Sequence, residues 1–270
     1  MTIITISRGS YSRGKEIAEK VAEKLGYECI ARETLLEASG QFNIEEAKLV
    51  RAVHDAPSIL DRFTYGKEKY IAYIQTALAR QVRGGNAVYH GLAGHFLLHG
   101  VSHVLNVRIT ADMEDRIAIV MDRDHVGEKE ALRILKHDDE ERRRWSHSLY
   151  GIDTTDPSLY DLMLFIKKIS VDDAADIICR AAQSENLRTT PESQKKMDDL
   201  VLACEVKIRL IEIIPDIDVH AENGVVFIRA DIPVAHRGTM TREITEIAFR
   251  VEGVQQVKVE AVRAPFASED

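Results

Sequence analysis

The sequence predicts an α/β protein, a parallel sheet with helices on both faces, plus a small α+β domain of order αββαβ towards the C-terminus. Three observations predict it. Within residues 1–183, short β-branched or apolar runs (3–6, 86–90, 103–109 and 162–166) alternate with stretches of helical periodicity, the pattern of a parallel sheet covered on both sides. Residues 184–195 lose that periodicity and read as a linker. Residues 196–263 then give helix, two strands joined at Asn223-Gly224, helix and a third strand.

The opening stretch organises the rest. Ile3-Ile4-Thr5-Ile6 reads as a strand, a polar loop follows, and Ile17, Val21 and Leu25 recur at helical spacing with Ala18 and Ala22 beside them. Between strand and helix, Gly9, Gly14 and Lys15 fit G-x-x-x-x-G-K. In that motif the loop N–H groups and the positive helix end hold an anion while the lysine reaches the outer phosphates. Gly9, Ser10, Ser12, Arg13, Gly14, Lys15 and Glu16 are therefore the candidate cofactor-binding residues. Glu16 stands where the full motif has Ser or Thr as a magnesium ligand, and it is the metal candidate. The plain alternative is a strand, a glycine turn and a helix with no ligand.

Further along, residues 28–30 suit a second strand, and 33–83 read mainly as helices. Their apolar positions are Leu35, Leu36, Ile44, Ala47, Val50, Ile59 and Leu60, with Pro57 as a break, then the stripe Ile71, Ile74, Leu78 and Val82. A helix starts at Asp112 with Met113, Ile117, Val120 and Met121, a very polar helix covers about 127–148, and Val171, Ala174, Ile177, Ile178 and Ala181 mark another. In the second domain Leu200, Cys204, Ile208 and Ile211 form an amphipathic helix stopped before Pro215. Ile217, Val219 and Ala221 alternate into the first strand, 225–231 is the second, Ile244, Ile247, Ala248 and Val251 mark a helix, and 254–262 is the third strand.

Composition narrows the function. The 270 residues are 45% hydrophobic and 30% charged, a globular balance, and the net charge of -8 excludes a general nucleic-acid binder. Cys29, Cys179 and Cys204 are odd in number and lack C-x-x-C spacing, so they read as reduced thiols. With no apolar run near the ~20 residues of a membrane span and no signal-peptide order at the N-terminus, a cytoplasmic location is expected.

Phosphoryl transfer needs positive charge around the migrating group more than it needs a strong base. Lys15 is the first candidate, with Arg8 and Arg13 beside the same loop. The second group is Asp138-Asp139-Glu140-Glu141-Arg142-Arg143-Arg144-Trp145, where three consecutive arginines spread around a helix and at least one faces any adjoining cleft. The competing reading is an exposed helix with ion pairs such as Asp138 with Arg142 and Glu140 with Arg144. Asp153 and Asp156 lie in a turn-rich segment that turn formation alone explains. Histidines 90, 95, 99 and 103 include an i,i+4 pair, His95 and His99. Without an H-E-x-x-H carboxylate they read as core or surface residues rather than metal ligands.

These residues together resemble the cytidylate kinase-like family, a branch of the P-loop nucleoside monophosphate kinases, over about residues 1–182. The likeness rests on Ile6-Ser7-Arg8 with Gly14-Lys15-Glu16-Ile17-Ala18, on Val104-Leu105-Asn106-Val107-Arg108-Ile109 with Glu114-Asp115-Arg116-Ile117, and on Tyr150-Gly151 through Asp156-Pro157-Ser158-Leu159-Tyr160-Asp161-Leu162. The resemblance implies a P-loop NTPase-type sheet, an acceptor segment at about 31–83 and an arginine-bearing lid at about 122–150. It implies ATP and Mg²⁺ as cofactors and CMP or dCMP as default acceptor, with Arg8, Arg116, Asp153 and Asp161 as candidate substrate-binding residues. Lys15, Arg142 and Arg144 become the catalytic candidates. Three positions depart from the family: Tyr11-Ser12-Arg13-Gly14 replaces Gly-Ser-Gly-Gly, Leu92 replaces an arginine after the third strand, and Ala31 replaces an acidic residue.

Residues 196–263 resemble a BON domain, through Asn223-Gly224-Val225-Val226 and Val251-Glu252-Gly253-Val254-Gln255-Gln256-Val257. That likeness implies a protein or membrane-associated partner; homo-oligomerisation stays open. Two functional readings follow. One is an ATP-dependent nucleotide kinase. The other is a catalytically weak or inactive nucleotide-binding regulator signalling through the second domain.

Overall fold

A computed structural model describes residues 1–31, 66–91 and 93–262. The helices expected from Leu35 to Leu60, and Leu92, lie outside the described residues. The chain runs β1 (Ile3–Arg8), α1 (Gly14–Leu25), β2 (Glu28–Ala31), α2 (Gly66–Val82), β3 (Ala87–His90), α3 (Gly94–Leu97), β4 (Val104–Ala111), α4 (Met113–Asp124), α5 (Glu128–Tyr150), β5 (Leu162–Ile166) and α6 (Val171–Ala182). It continues with α7 (Pro191–Leu210), β6 (Ile217–Glu222), β7 (Val225–Asp231), α8 (Arg237–Phe249) and β8 (Gln256–Val262). Two compact units result, one from the described residues within 1–59 and 84–193, the other from those within 60–83 and 194–270.

In the first unit the five strands are parallel in the order β2-β3-β1-β4-β5. β1 takes the centre, with Ile3 paired to Ala87 on one side and Val104 on the other. Ile3 and Ile4 are fully buried, as expected of a strand covered on both faces. One face packs Ile4, Ile6, Val107 and Ile109 against Ile17, Ala18 and Val21 of α1 and Ala174, Ala175 and Ile178 of α6. Burial of each of those isoleucines contributes roughly 1.5–3 kcal/mol. Ends are defined locally: Gly26 stops α1 at φ 67°, and Ser170 with Asp173 forms a capping box on α6.

The opposite face is polar at its centre. Thr5 and Ser7 of β1 alternate with the buried isoleucines, and Asn106 and Arg108 of β4 lie beside them in register. Thr5 Oγ1 donates to Asn106 Oδ1 at 2.8 Å. Helix α3 lies so close that a Cβ on Gly94 would fall 2.8 Å from Thr5 Cβ, so only glycine fits there.

The second unit carries the expected αββαβ order in α7, β6, β7, α8 and β8. Its sheet is ordered β6-β7-β8, antiparallel at the first pair and parallel at the second. Asn223 and Gly224 both hold positive φ, 55° and 78°, as a two-residue hairpin turn requires. The core is built from Val206, Leu210, Val226, Ile228, Ile244 and Ala248.

Two features differ from the expectation. Helix α7 begins at Pro191, inside the stretch read as linker. Helix α2, expected beside the first sheet as part of an acceptor segment, belongs to the second unit. Thr76 Oγ1 donates to the carbonyl of Cys204 at 3.3 Å, Arg80 pairs with Glu205, and Lys69 Nζ lies 2.6 Å from Glu212. The stripe that includes Ile74, Leu78 and Val82 is buried as predicted, but a helical period says only that a face is apolar, not which core receives it.

Candidate nucleotide site

The loop from Gly9 to Arg13 is pinned from beneath by β4. Gly9 N donates to the Ile109 carbonyl at 2.9 Å, and Ser12 Oγ donates to the carbonyls of Gly9 and Ile109 at 2.9 and 3.2 Å. Tyr11 and Arg13 sit at φ 55° and 60°, the left-handed region that glycine adopts freely. The two glycines missing from the sequence are thus missing where the backbone still takes a glycine conformation. Tyr11 is held there by its side chain, which packs with Ile117 and Ile134 against Val120, Ala131 and Leu135 between α4 and α5. Its hydroxyl donates to Asp138 Oδ2 at 2.6 Å, and the Arg123 guanidinium lies 4.6 Å from the ring centroid.

Gly14 has a different reason. A Cβ there would lie 2.7 Å from Arg8 Cβ and 2.9 Å from Arg8 Cδ. Since Arg8 Cβ is fixed to the strand, the loop itself would have to move. Gly14→Ala is expected to destabilise the protein by about 1–3 kcal/mol and to lose nucleotide affinity, and Arg8→Gly in the same chain should recover part of both. Urea midpoints and calorimetric titration of the single and double variants check this.

The remaining sequence candidates are placed as follows. Lys15 is exposed, its ammonium 3.7 Å from Glu19 Oε1. Glu16 lines an open cleft of about 420 Å³ with Arg13, Asp115, Ile119, Lys167 and Ile169. Arg116 is nearly buried: its Nε donates to the Ser10 carbonyl at 2.8 Å and its Nη2 to Asp139 Oδ2 at 2.6 Å. Asp139 Oδ1 in turn accepts from the Ser10 backbone N–H at 3.3 Å. Arg142 is half-buried, whereas Arg143 and Arg144 are exposed and share Glu140 at 3.1 Å, which is the ion-pair pattern weighed against a cleft-facing role. Asp153 closes a turn on Thr155, and that hydrogen bonding holds its carboxyl below the usual range. Asp161 accepts from Asn106 N at 2.8 Å and immediately precedes β5.

Arg116 is the candidate the structure brings onto the loop most firmly. Asp138, taken from sequence only as an ion-pair partner of Arg142, and Asp139, given no pairing there, reach the loop as well. Ser7, Arg108 and Tyr160 entered the sequence reading only through the family likeness and were given no role at the site. The signal was present: polar residues at alternate positions of two central strands, Thr5 and Ser7 on β1 and Asn106 and Arg108 on β4, lie on one face of an otherwise apolar sheet. Among the described residues, no cluster of three His, Cys, Asp or Glu could hold a metal ion unaided, and no helix is long and apolar enough to cross a membrane.

A parallel sheet in this strand order, with the glycine-type loop joining its central strand to α1, defines a P-loop kinase fold. Residues 3–168 match the Cytidylate kinase-like family, and the chain belongs to it. It is similar to the cytidylate kinase of Sulfolobus acidocaldarius, 31% identical over 105 residues, a match spanning 38% of this chain and only 57% of that protein. The cytidylate kinase of Pyrobaculum aerophilum is 25% identical over 178 residues, spanning 66% of this chain and 90% of the relative. Among solved structures, an uncharacterized protein from Eubacterium ventriosum superposes with a TM-score of 0.53 at 23% identity, covering 68% of this chain and all of that one.

Proposed function

We propose that the protein is an ATP-dependent kinase that transfers a phosphoryl group to a nucleoside monophosphate, with CMP or dCMP as acceptor. The observation that carries the reading is the loop itself: a chain with Tyr11 and Arg13 where glycine is easiest still holds the glycine conformation, beside a cleft large enough for a nucleoside. In this reading the kinase domain is the part of 1–183 that forms the first unit, and Gly9, Ser10, Ser12, Arg13 and Gly14 wrap the polyphosphate. Lys15 leaves Glu19 for the β- and γ-phosphates. An exposed contact at 3.7 Å is worth under about 1 kcal/mol, so the exchange costs little.

The residues present fit a magnesium ion that arrives with the nucleotide. Glu16 is an exposed carboxylate on the first turn of α1 with Asp115 across the same cleft, and one or two carboxylates plus phosphate oxygens are the usual magnesium environment. The ion supplies charge neutralisation when bound. Arg142 or Arg144, from the lid helix α5, closes over the transferring group and excludes water, while Arg8, Arg116, Asp153 and Asp161 serve the substrate side. Residues 196–263 act as a BON-like interaction module for a protein or membrane-associated partner, and the cytoplasm is the setting the composition favours.

A coupled assay with ATP·Mg²⁺ across the nucleoside monophosphates tests this, with calorimetry on the same protein. Turnover is expected, and Lys15→Ala should lower it roughly 10²-fold or more. Binding of ATP with no turnover on any acceptor would replace the kinase reading by the regulator.

A further inference from the structure

On the sheet face opposite α1, the structure buries a cation that forms no close ion pair with a described carboxylate, although Asp153 feels its charge at longer range. Arg108 of β4 is 8% exposed, and its Nη1 reaches only two hydroxyls, Ser7 Oγ and Tyr160 Oη, both at 3.4 Å. Its guanidinium carbon lies 5.6 Å from the Tyr160 ring centroid. Taking a guanidinium out of water is costly unless an anion and further hydrogen bonds replace the lost hydration. Long contacts to two neutral hydroxyls do not do so.

The same cluster holds a second unmet demand. His95 of α3 is also 8% exposed, packs at 5.0 Å against Tyr160 with the rings tilted by 57°, and has no hydrogen-bond partner on either ring nitrogen among the described residues. Buried polar atoms are nearly always paired, so two vacant nitrogens beside an arginine with no close ion pair are an independent sign that something polar belongs between them. Tyr160 Oη is itself fixed, donating to the Thr154 carbonyl at 3.0 Å or to Ser7 Oγ at 3.4 Å. Thus Ser7, His95, Arg108 and Tyr160 offer a cation, an imidazole and two hydroxyls at the carboxyl ends of β1 and β4, where open parallel sheets bind ligands.

We propose that this cluster is an anion subsite for the phosphate group of the phosphoryl acceptor, an inference that rests on the kinase reading above. Position separates it from the nucleotide cleft. Ala111, Ile166 and Val171, which line that cleft, belong to the core on the α1 face, whereas Ser7 and Arg108 lie on the other face. The loop after Arg8 passes between the two, so a donor on one side and an acceptor anion on the other would meet at the loop. A phosphate monoester suits the groups: arginine binds phosphate oxygens through paired N–H donors, and neutral His95 can donate one N–H to a third oxygen.

The test uses the full chain with His ring resonances followed by NMR and affinities by calorimetry, in a Lys15→Ala background as well as wild type so that the loop's own anion site is removed. CMP and inorganic phosphate should both shift the His95 ring, and cytidine should not. Arg108→Met should weaken CMP at least tenfold with ATP affinity unchanged, and should melt no lower than wild type, because a buried charge without a close ion pair is replaced by an apolar chain. A residue serving packing alone would lose stability instead. Tyr160→Phe gives a milder variant should Arg108→Met fold poorly, with a smaller weakening of CMP expected. The subsite is overturned if saturating CMP and phosphate leave the His95 ring unmoved, if cytidine alone moves it, or if Arg108→Met or Tyr160→Phe binds CMP as tightly as wild type. A shifted His95 with no turnover retires the kinase reading and keeps the anion site; turnover with an unmoved His95 does the reverse.

Discussion

Acidification from about pH 6.5 to about pH 4 is expected to remove about 3 kcal/mol of stability through His95 alone. Burial of the ring, with the Arg108 charge on β4 adding to it, lowers the His95 pKa to about 4. Among the described residues no neighbour rewards protonation: neither ring nitrogen has a partner, the facing ring is Tyr160, and the charge it feels, that of Arg108, is positive. The folded value lies below that of the unfolded chain, so the unfolded state takes up the proton first. Stability from this group is complete above about pH 6.5, falls as the pH drops towards 4, and levels off below. His103, fully buried and also shifted down by burial, acts in the same direction. A control variant is therefore needed. Urea unfolding of wild type and His95→Phe at pH 7.5 and pH 5 isolates the term: wild type should lose about 2 kcal/mol more than the variant over that interval. Equal losses would mean that His95 is solvated or paired in solution.

The opening strand-loop-helix and the hairpin at Asn223-Gly224 were legible because each is local. Strand, loop and helix follow one another within 25 residues, and the turn needs only two positive φ angles that its own residues supply. The parallel sheet was legible from the alternation of apolar runs with helical stretches, and the family likeness over the first unit is borne out by the match at residues 3–168. Long-range partnerships were not legible. The stripe of α2 predicts a buried face equally well for either unit, and only packing assigns it to the second. The Asp138-Asp139 pair reads locally as half of a helical ion-pair ladder, yet Tyr11 and Ser10, from sequence positions far upstream, take both carboxylates. Tyr11 shows the coupling most directly. As a loop residue it looks like a fault at a glycine position, and only the α4–α5 core explains why a large side chain is tolerated at φ 55°.

Asp139→Asn is expected to tighten ATP binding by about tenfold while lowering stability by about 1–2 kcal/mol. In the described structure the Asp139 carboxylate accepts from the Ser10 N–H, one of the loop donors that a polyphosphate would use, and Arg116 ties it there through bonds of 2.6 Å to Asp139 and 2.8 Å to the Ser10 carbonyl. A nucleotide entering the loop must displace this carboxylate or lie beside it. Two like charges about 4 Å apart repel by roughly 1 kcal/mol in water and about 4 kcal/mol at a protein surface, and the lower figure suits a side chain as exposed as Asp139. Asparagine keeps the shape and removes the charge, and it frees Arg116 to turn its guanidinium towards the phosphates. The stability loss follows from the broken charge-assisted bond to that nearly buried arginine. Asp138→Asn is the internal comparison: its partner is the Tyr11 hydroxyl rather than a loop N–H, so it should change stability without comparable gain in affinity. Calorimetric titration with ATP·Mg²⁺ and urea unfolding of both variants separate the two roles. If Asp139→Asn weakens ATP in step with stability, the carboxylate holds the loop ready for the nucleotide; if affinity rises as stability falls, the lid helix competes with the nucleotide for its own loop.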